Sequence, residues 1–110
     1  MPVLDRHGSV LVVTPQGALR TDDVPDMDAK VQANINGGVP MIVINLSETP
    51  LIDGQGLEWI LNLDEACCRR GGCVRLCGVG ELCRDVLRIT GVGESIKVYD
   101  DLTAALGSFA

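Results

Sequence analysis

Apolar residues along this chain fall into short runs of two kinds, some alternating and some spaced as on a helix. Val3 to Arg6, a His7-Gly8-Ser9 turn and Val10 to Thr14 predict a β-hairpin, closed by Pro15 and Gly17. Val24, Met27, Val31 and Ile35 recur at helical spacing, with Thr21 or Asp22 as cap, Pro25 in the first turn and Asn36-Gly37-Gly38 as the stop. Met41-Ile42-Val43-Ile44 follows Pro40 as an unbroken apolar run, which predicts a central strand covered on both faces. A second helix is expected from about Gly54 to Arg70, with Leu57, Ile60, Leu61 and Cys67 inward and Arg69 and Arg70 suiting its C-terminal dipole. Cys73 to Cys77 reads as a strand, and Glu81 to Ile89 as a helix with Leu82, Val86 and Ile89 inward. Ile96 to Tyr99 is a last strand, and Asp100 or Asp101 caps a helix through Leu102, Ala105 and Leu106. The order is ββαβαβαβα. It predicts one α/β domain over residues 1–110, with a mostly parallel sheet and an antiparallel edge strand.

Composition agrees with a self-sufficient core. Of 110 residues, 46% are hydrophobic and only 3% aromatic, so the core is built mainly from Val, Ile, Leu, Ala and Cys. The net charge of −6 disfavours nucleic acid and anionic membrane surfaces. Val10 to Val13 is too short for a secretory core, and no run approaches the roughly 20 apolar residues that span a bilayer. Five cysteines crowd between Cys67 and Cys83 without a CxxC pair, which points to a reducing cytoplasm.

Val43-Ile44-Asn45-Leu46-Ser47 and then Leu51-Ile52-Asp53-Gly54-Gln55-Gly56-Leu57 carry the strongest family signal. They resemble the STAS family pattern of an apolar strand, Asn/Asp-Leu-Ser, a loop, and Asp-Ser-Ser-Gly-Leu opening a helix. Gly71-Gly72 before a strand ending in Gly78, and Val86-Leu87-Arg88-Ile89-Thr90-Gly91-Val92, are similar to the family too. The resemblance covers nearly the whole chain and implies a bacterial, cytoplasmic anti-sigma factor antagonist without catalytic activity or cofactor. In such antagonists the second serine of the motif is phosphorylated by a partner that is both anti-sigma factor and kinase. A phosphate at a helix N-terminus is compatible with the fold, and its charge alters the docking surface.

This chain departs from the motif where the switch sits. Gly54 and Gln55 replace the two serines, and Gln55, at the phosphoacceptor position, has no hydroxyl. Phosphorylation there is chemically impossible. Gln55 keeps the neutral charge of an unmodified serine, so the surface is either locked in its partner-binding state or adapted to a partner that reads no phosphate. Ser47 and Thr49 are the other hydroxyls near the helix start in sequence. The resemblance implies docking through Asp53, Gly54, Gln55, Gly56, Leu57, Glu58 and Trp59, with Arg20, Thr21 and Asp22 at the rim. Trp59 has two readings of equal weight, an exposed interface anchor or a side chain packed under a neighbouring helix.

The expected partner is an anti-sigma factor and serine kinase of the GHKL type or another signalling protein, and the chain itself a monomer or weak homodimer. The rival role is an assembly subunit, in a stressosome-like scaffold or beside an ABC transporter ATPase. Other constellations carry less. Asp53 alone reads as a helix cap rather than a general base, and His7, in the predicted hairpin turn, would have to meet a serine on the far side of the domain to form a triad. Cys67, Cys68, Cys73, Cys77 and Cys83 read as small hydrophobes, not metal ligands, with Cys68, on the outer part of its helix, expected to be the most reactive. Gly78-Val79-Gly80 and Gly91-Val92-Gly93 read as turns, because neither continues into a phosphate-binding loop.

Overall fold

The computed structural model describes residues 2–35 and 38–109. Five strands form one sheet in the order β1-β2-β3-β4-β5: β1 (Val3–His7), β2 (Val10–Thr14), β3 (Met41–Asn45), β4 (Cys73–Cys77) and β5 (Val98–Tyr99). β1 runs antiparallel to β2, and the remaining pairs are parallel. The helices are α1 (Val24–Asn34), α2 (Gly54–Arg69), α3 (Glu81–Thr90), α4 (Val92–Ser95) and α5 (Leu102–Gly107).

Topology explains the layering. From β2 to β5 each parallel connection steps one strand further in the same direction, and right-handed crossovers then place every connecting helix on the same face. Met27 and Val31 of α1, Leu57, Ile60 and Leu63 of α2, Cys83 and Leu87 of α3 and Val92 of α4 all join one core. They pack there with Leu11, Val13, Ile42, Ile44, Val74 and Leu76 from the sheet. The opposite face carries Val10, Val12, Val43 and Cys77, and α5 covers it with Ala105, Leu102 and Leu106. Ile42, Val43 and Ile44 are each fully buried, as a strand sandwiched between two helical layers requires.

Several expectations shift on contact with the structure. Thr21 to Asp23 form a short 3-10 turn ahead of α1, and neither Thr21 nor Asp22 caps that helix, because the Thr21 hydroxyl is held by Asp53 instead. In α2, Leu61 is exposed and the buried line is Gly56, Ile60, Leu63 and Cys67, with Trp59 and Leu57 on its flanks. In α3, Cys83 and Leu87 point inward while Leu82 and Ile89 are exposed, 55% and 81% respectively. Cys83 is drawn in by its Sγ contact with the Thr49 carbonyl at 3.4 Å. β5 is only two residues long, since Val92–Ser95 coil into α4 and Ile96 tucks into the core. His7 ends β1 rather than lying in the turn, which is left to Gly8 at φ 63° and Ser9. Of the expected Asn36-Gly37-Gly38 stop, Asn36 and Gly37 lie outside the described residues.

Gly72 is a glycine for a local reason. A Cβ there would lie 1.8 Å from the Pro40 carbonyl oxygen, so the turn into β4 fits against the start of β3 only without a side chain.

Candidate functional site: the amino end of helix α2

The parallel pairing of β2 with β3 continues beyond both strands and builds this site. Gly17 N–H donates to Glu48 O (3.0 Å), Leu19 N–H to Leu51 O (2.8 Å) and Asp53 N–H back to Leu19 O (3.0 Å). Leu19 and Ile52 form a parallel bridge, and both side chains are buried. The segment after β2 is thereby laid along the segment after β3, and it delivers Thr21 to the start of α2.

Asp53 is the N-cap of that helix. Its Oδ1 accepts from Gly56 N–H at 2.9 Å, while Oδ2 accepts both the backbone N–H (2.8 Å) and the hydroxyl (3.1 Å) of Thr21. One carboxylate therefore caps α2 and ties the loop after β2 to it. The Gly56 and Thr21 amides that hold its charge push its pKa below the usual carboxylate value, as expected when hydrogen bonds favour the charged form. Gly56 permits this closeness. A Cβ on it would meet Leu19 O and Ile52 Cγ2 at 2.9 Å each.

The segment expected to meet a partner divides in two. Gly54, Gln55 and Glu58 are exposed, Asp53 is partly so, and Gly56, Leu57 and Trp59 are buried. Trp59 is 6% exposed and its Nε1 donates to Asp28 Oδ1 on α1 at 2.9 Å. It joins two helices of the domain and is no exposed anchor. Arg20, Thr21 and Asp22 are exposed beside the cap. The Thr21–Asp53 bond is what the sequence did not disclose, since it joins residues 32 positions apart.

Nearby hydroxyls differ sharply in access. Thr49 is 2% exposed and its hydroxyl donates to Pro15 O, whereas Ser47 is exposed. A Cβ on Gly54 would meet nothing within 4 Å, so side chains at the exposed start of the helix have room.

The cysteines lie elsewhere. Cys67, Cys77 and Cys83 are buried, Cys73 is partly buried and Cys68 is exposed. Burial pushes the thiols of Cys67 and Cys77 up to about 11. Among the described residues no group of three His, Cys, Asp or Glu is placed to hold a metal ion, and no helix is long and apolar enough to cross a membrane.

Comparison with known proteins gives one family. No curated protein matches this sequence significantly. Among solved structures, an anti-sigma factor antagonist from Mycobacterium paratuberculosis is similar, with TM-score 0.87 and 22% identity over 98% of this chain and 92% of that one. An anti-sigma factor antagonist (STAS) domain protein from Planctomyces limnophilus has TM-score 0.87 and 19% identity over 99% and 98%. The anti-sigma factor antagonist SpoIIAA in its unphosphorylated form has TM-score 0.79 and 20% identity over 94% and 92%. At these identities the likeness is one of fold. The model of the STAS domain family matches residues 1–105, and the chain belongs to that family.

Proposed function

We propose that this protein is a non-catalytic regulator that docks on a signalling protein through the exposed amino end of α2. The observation that carries this reading is the Asp53 clamp. It fixes a small surface of Gly54, Gln55 and Glu58 beside Arg20, Thr21 and Asp22, while the rest of the helix start is sealed into the core. A surface held rigid before binding loses little conformational freedom on docking. Several fold neighbours are described as anti-sigma factor antagonists, which supports a partner that is an anti-sigma factor with serine-kinase activity of the GHKL type. Gln55 takes the place of the phosphoacceptor serine and leaves that position permanently uncharged. The docking surface is thus always in the state of an unmodified antagonist at this one residue.

A second reading, an assembly subunit in a scaffold or beside an ABC transporter ATPase, draws on the same residue, because a purely structural contact needs no hydroxyl at position 55. Immobilised chain exposed to a lysate of the cells that make it separates the two. Retention of a GHKL-type kinase, with hydrogen exchange slowed at residues 53–58, supports the regulator. Retention of an ABC ATPase or of large assemblies of related chains favours the second role. Protection confined to α5 or β1 contradicts both.

A further inference from the structure

We propose that the valley between α2 and α3 seats a cationic amphipathic helix of the partner protein. The proposal rests on the docking reading above for the existence of a partner, not for where that partner touches. Two sets of contacts fix how each helix is rotated. On α2, Trp59 bonds to Asp28 and so marks the flank that faces α1. Leu61 stands two positions on, about 200° around the helix, on the flank toward α3. On α3, Arg84, Leu87 and Arg88 line a cavity of about 290 Å³ with Val98 and so mark the flank that faces β5. Leu82 and Val86 each stand two positions from Arg84, and with Ile89 they form an i, i+4, i+7 stripe on the flank toward α2. α2 and α3 meet less closely than α1 and α2 do, so these two flanks border open space. Leu61 is 38%, Leu82 55% and Ile89 81% exposed, and Val86 is half-buried. Among the described residues Val3 and Val39 are the other large apolar side chains left so open, and neither belongs to α2 or α3.

Shape and charge select the occupant. α3 is 10 residues long, about 15 Å at the rise of a helix, so the valley has room along it for roughly three helical turns. An apolar channel between two helices is a seat into which a third helix lays its apolar stripe. The rim is acidic. Glu58, Asp64 and Glu65 stand within about one turn of Leu61, and Asp85 stands within about one turn of both Leu82 and Ile89. Arg69 and Arg88 reach Glu65 and Asp85, but these are exposed ion pairs of small worth, and the rim stays net negative. A second copy of the chain is a poor occupant. Each copy carries a net charge of −6 and would bring the same carboxylates against these. A helix with leucine-like residues along one stripe and lysine or arginine on its borders satisfies both floor and rim. Glu58 belongs to this rim and also to the exposed start of α2, so the valley continues the docking surface onto a second element.

The test uses a synthetic peptide of leucine and lysine, about 15 residues long so that it can hold a helix, with leucine at i, i+3, i+4 and i+7. It is titrated into the isotope-labelled chain beside the same peptide carrying glutamate for lysine. Amide and methyl signals of Leu61, Leu82, Val86 and Ile89 should shift with the lysine peptide, the binding should weaken as salt rises, and the glutamate peptide should bind about tenfold more weakly or worse. The double variant Leu82→Ser, Ile89→Ser keeps every charge and should lose the lysine peptide by about tenfold or more. Ile89→Ser alone, at its open position, reads the same loss where the pair lowers the melting temperature. Shifts confined to other faces, equal binding of the two peptides, or variants that bind like the parent overturn the proposal. So does a dimer of the chain alone that the double variant abolishes, since a second copy then fills the valley. Partner retention through Gln55 and Glu58 is scored separately. Absent peptide binding with that retention intact removes this proposal and spares the docking reading, and a seated peptide with retention indifferent to charge at positions 55 and 58 removes the docking reading alone.

Discussion

Asp53 shows how one side chain sets both local stability and the shape of the site. Its folded-state pKa is lowered from 3.8 by the amides of Gly56 and Thr21, so its contribution is fully present above about pH 4 and is lost as pH falls through the lowered value. Between those two pKa values the unfolded chain binds more protons, and stability therefore rises with pH. Asp53→Asn should melt lower than the parent at neutral pH, with the gap closing as acid protonates the parent; calorimetry across pH 2 to 7 checks this. Gly56→Ala forces a methyl against Leu19 O and Ile52 Cγ2 and should cost about 1–3 kcal/mol in urea unfolding. Trp59→Ala empties a buried, hydrogen-bonded position and should cost about 3–5 kcal/mol, far more than an exposed binding residue would. A melting temperature close to the parent's would return Trp59 to the surface.

At the scale of elements, the sequence was legible wherever a face had a strong period. The five strands, the antiparallel β1 and the order of the long helices follow from alternation, apolar runs and glycine stops. The rotation of α2 and α3 about their axes did not. In α3, Cys83 and Leu87 form an inward pair at the same spacing as the more obviously apolar Leu82 and Val86, and a thiol carries little weight in a hydrophobic pattern. In α2, Trp59 and Leu63 turn the buried face toward α1, a choice made by a contact with Asp28 that lies 31 positions earlier. α4 escaped because four residues show no period at all. Asp53, Gly54 and Gln55 were legible as the start of a helix, while the bond from Thr21 depends on pairing of two loops that no local pattern records. The observed facing gives a clear expectation for α3. Ile89→Glu should change stability by no more than about 0.5 kcal/mol, and Leu87→Ala should cost about 2–5 kcal/mol, as read by chemical unfolding.

Across the whole molecule, two unequal layers enclose the sheet, and the proposed docking surface stands at the end where the loops after β2 and β3 meet the start of α2. The sealed interior has a chemical signature. Cys67, Cys77 and Cys83 should resist a thiol reagent at pH 8 in the folded protein; exposed Cys68 should react faster than they do but slower than a free thiol, because desolvation and Asp64 push its pKa up, and all five should react after unfolding. Rapid labelling of Cys77 would mean that α5 leaves its face of the sheet. α5 also supplies a control surface, since Thr103 is exposed on it and belongs to the layer opposite α2. The most direct test of the account compares partner retention by the parent chain, Gln55→Arg, Glu58→Arg and Thr103→Arg, with melting temperatures measured in parallel. The account predicts that the Gln55 and Glu58 variants melt like the parent and lose the partner by about tenfold or more, while Thr103→Arg keeps it. Retention unchanged by charge at positions 55 and 58, or lost only through Thr103→Arg, would contradict it.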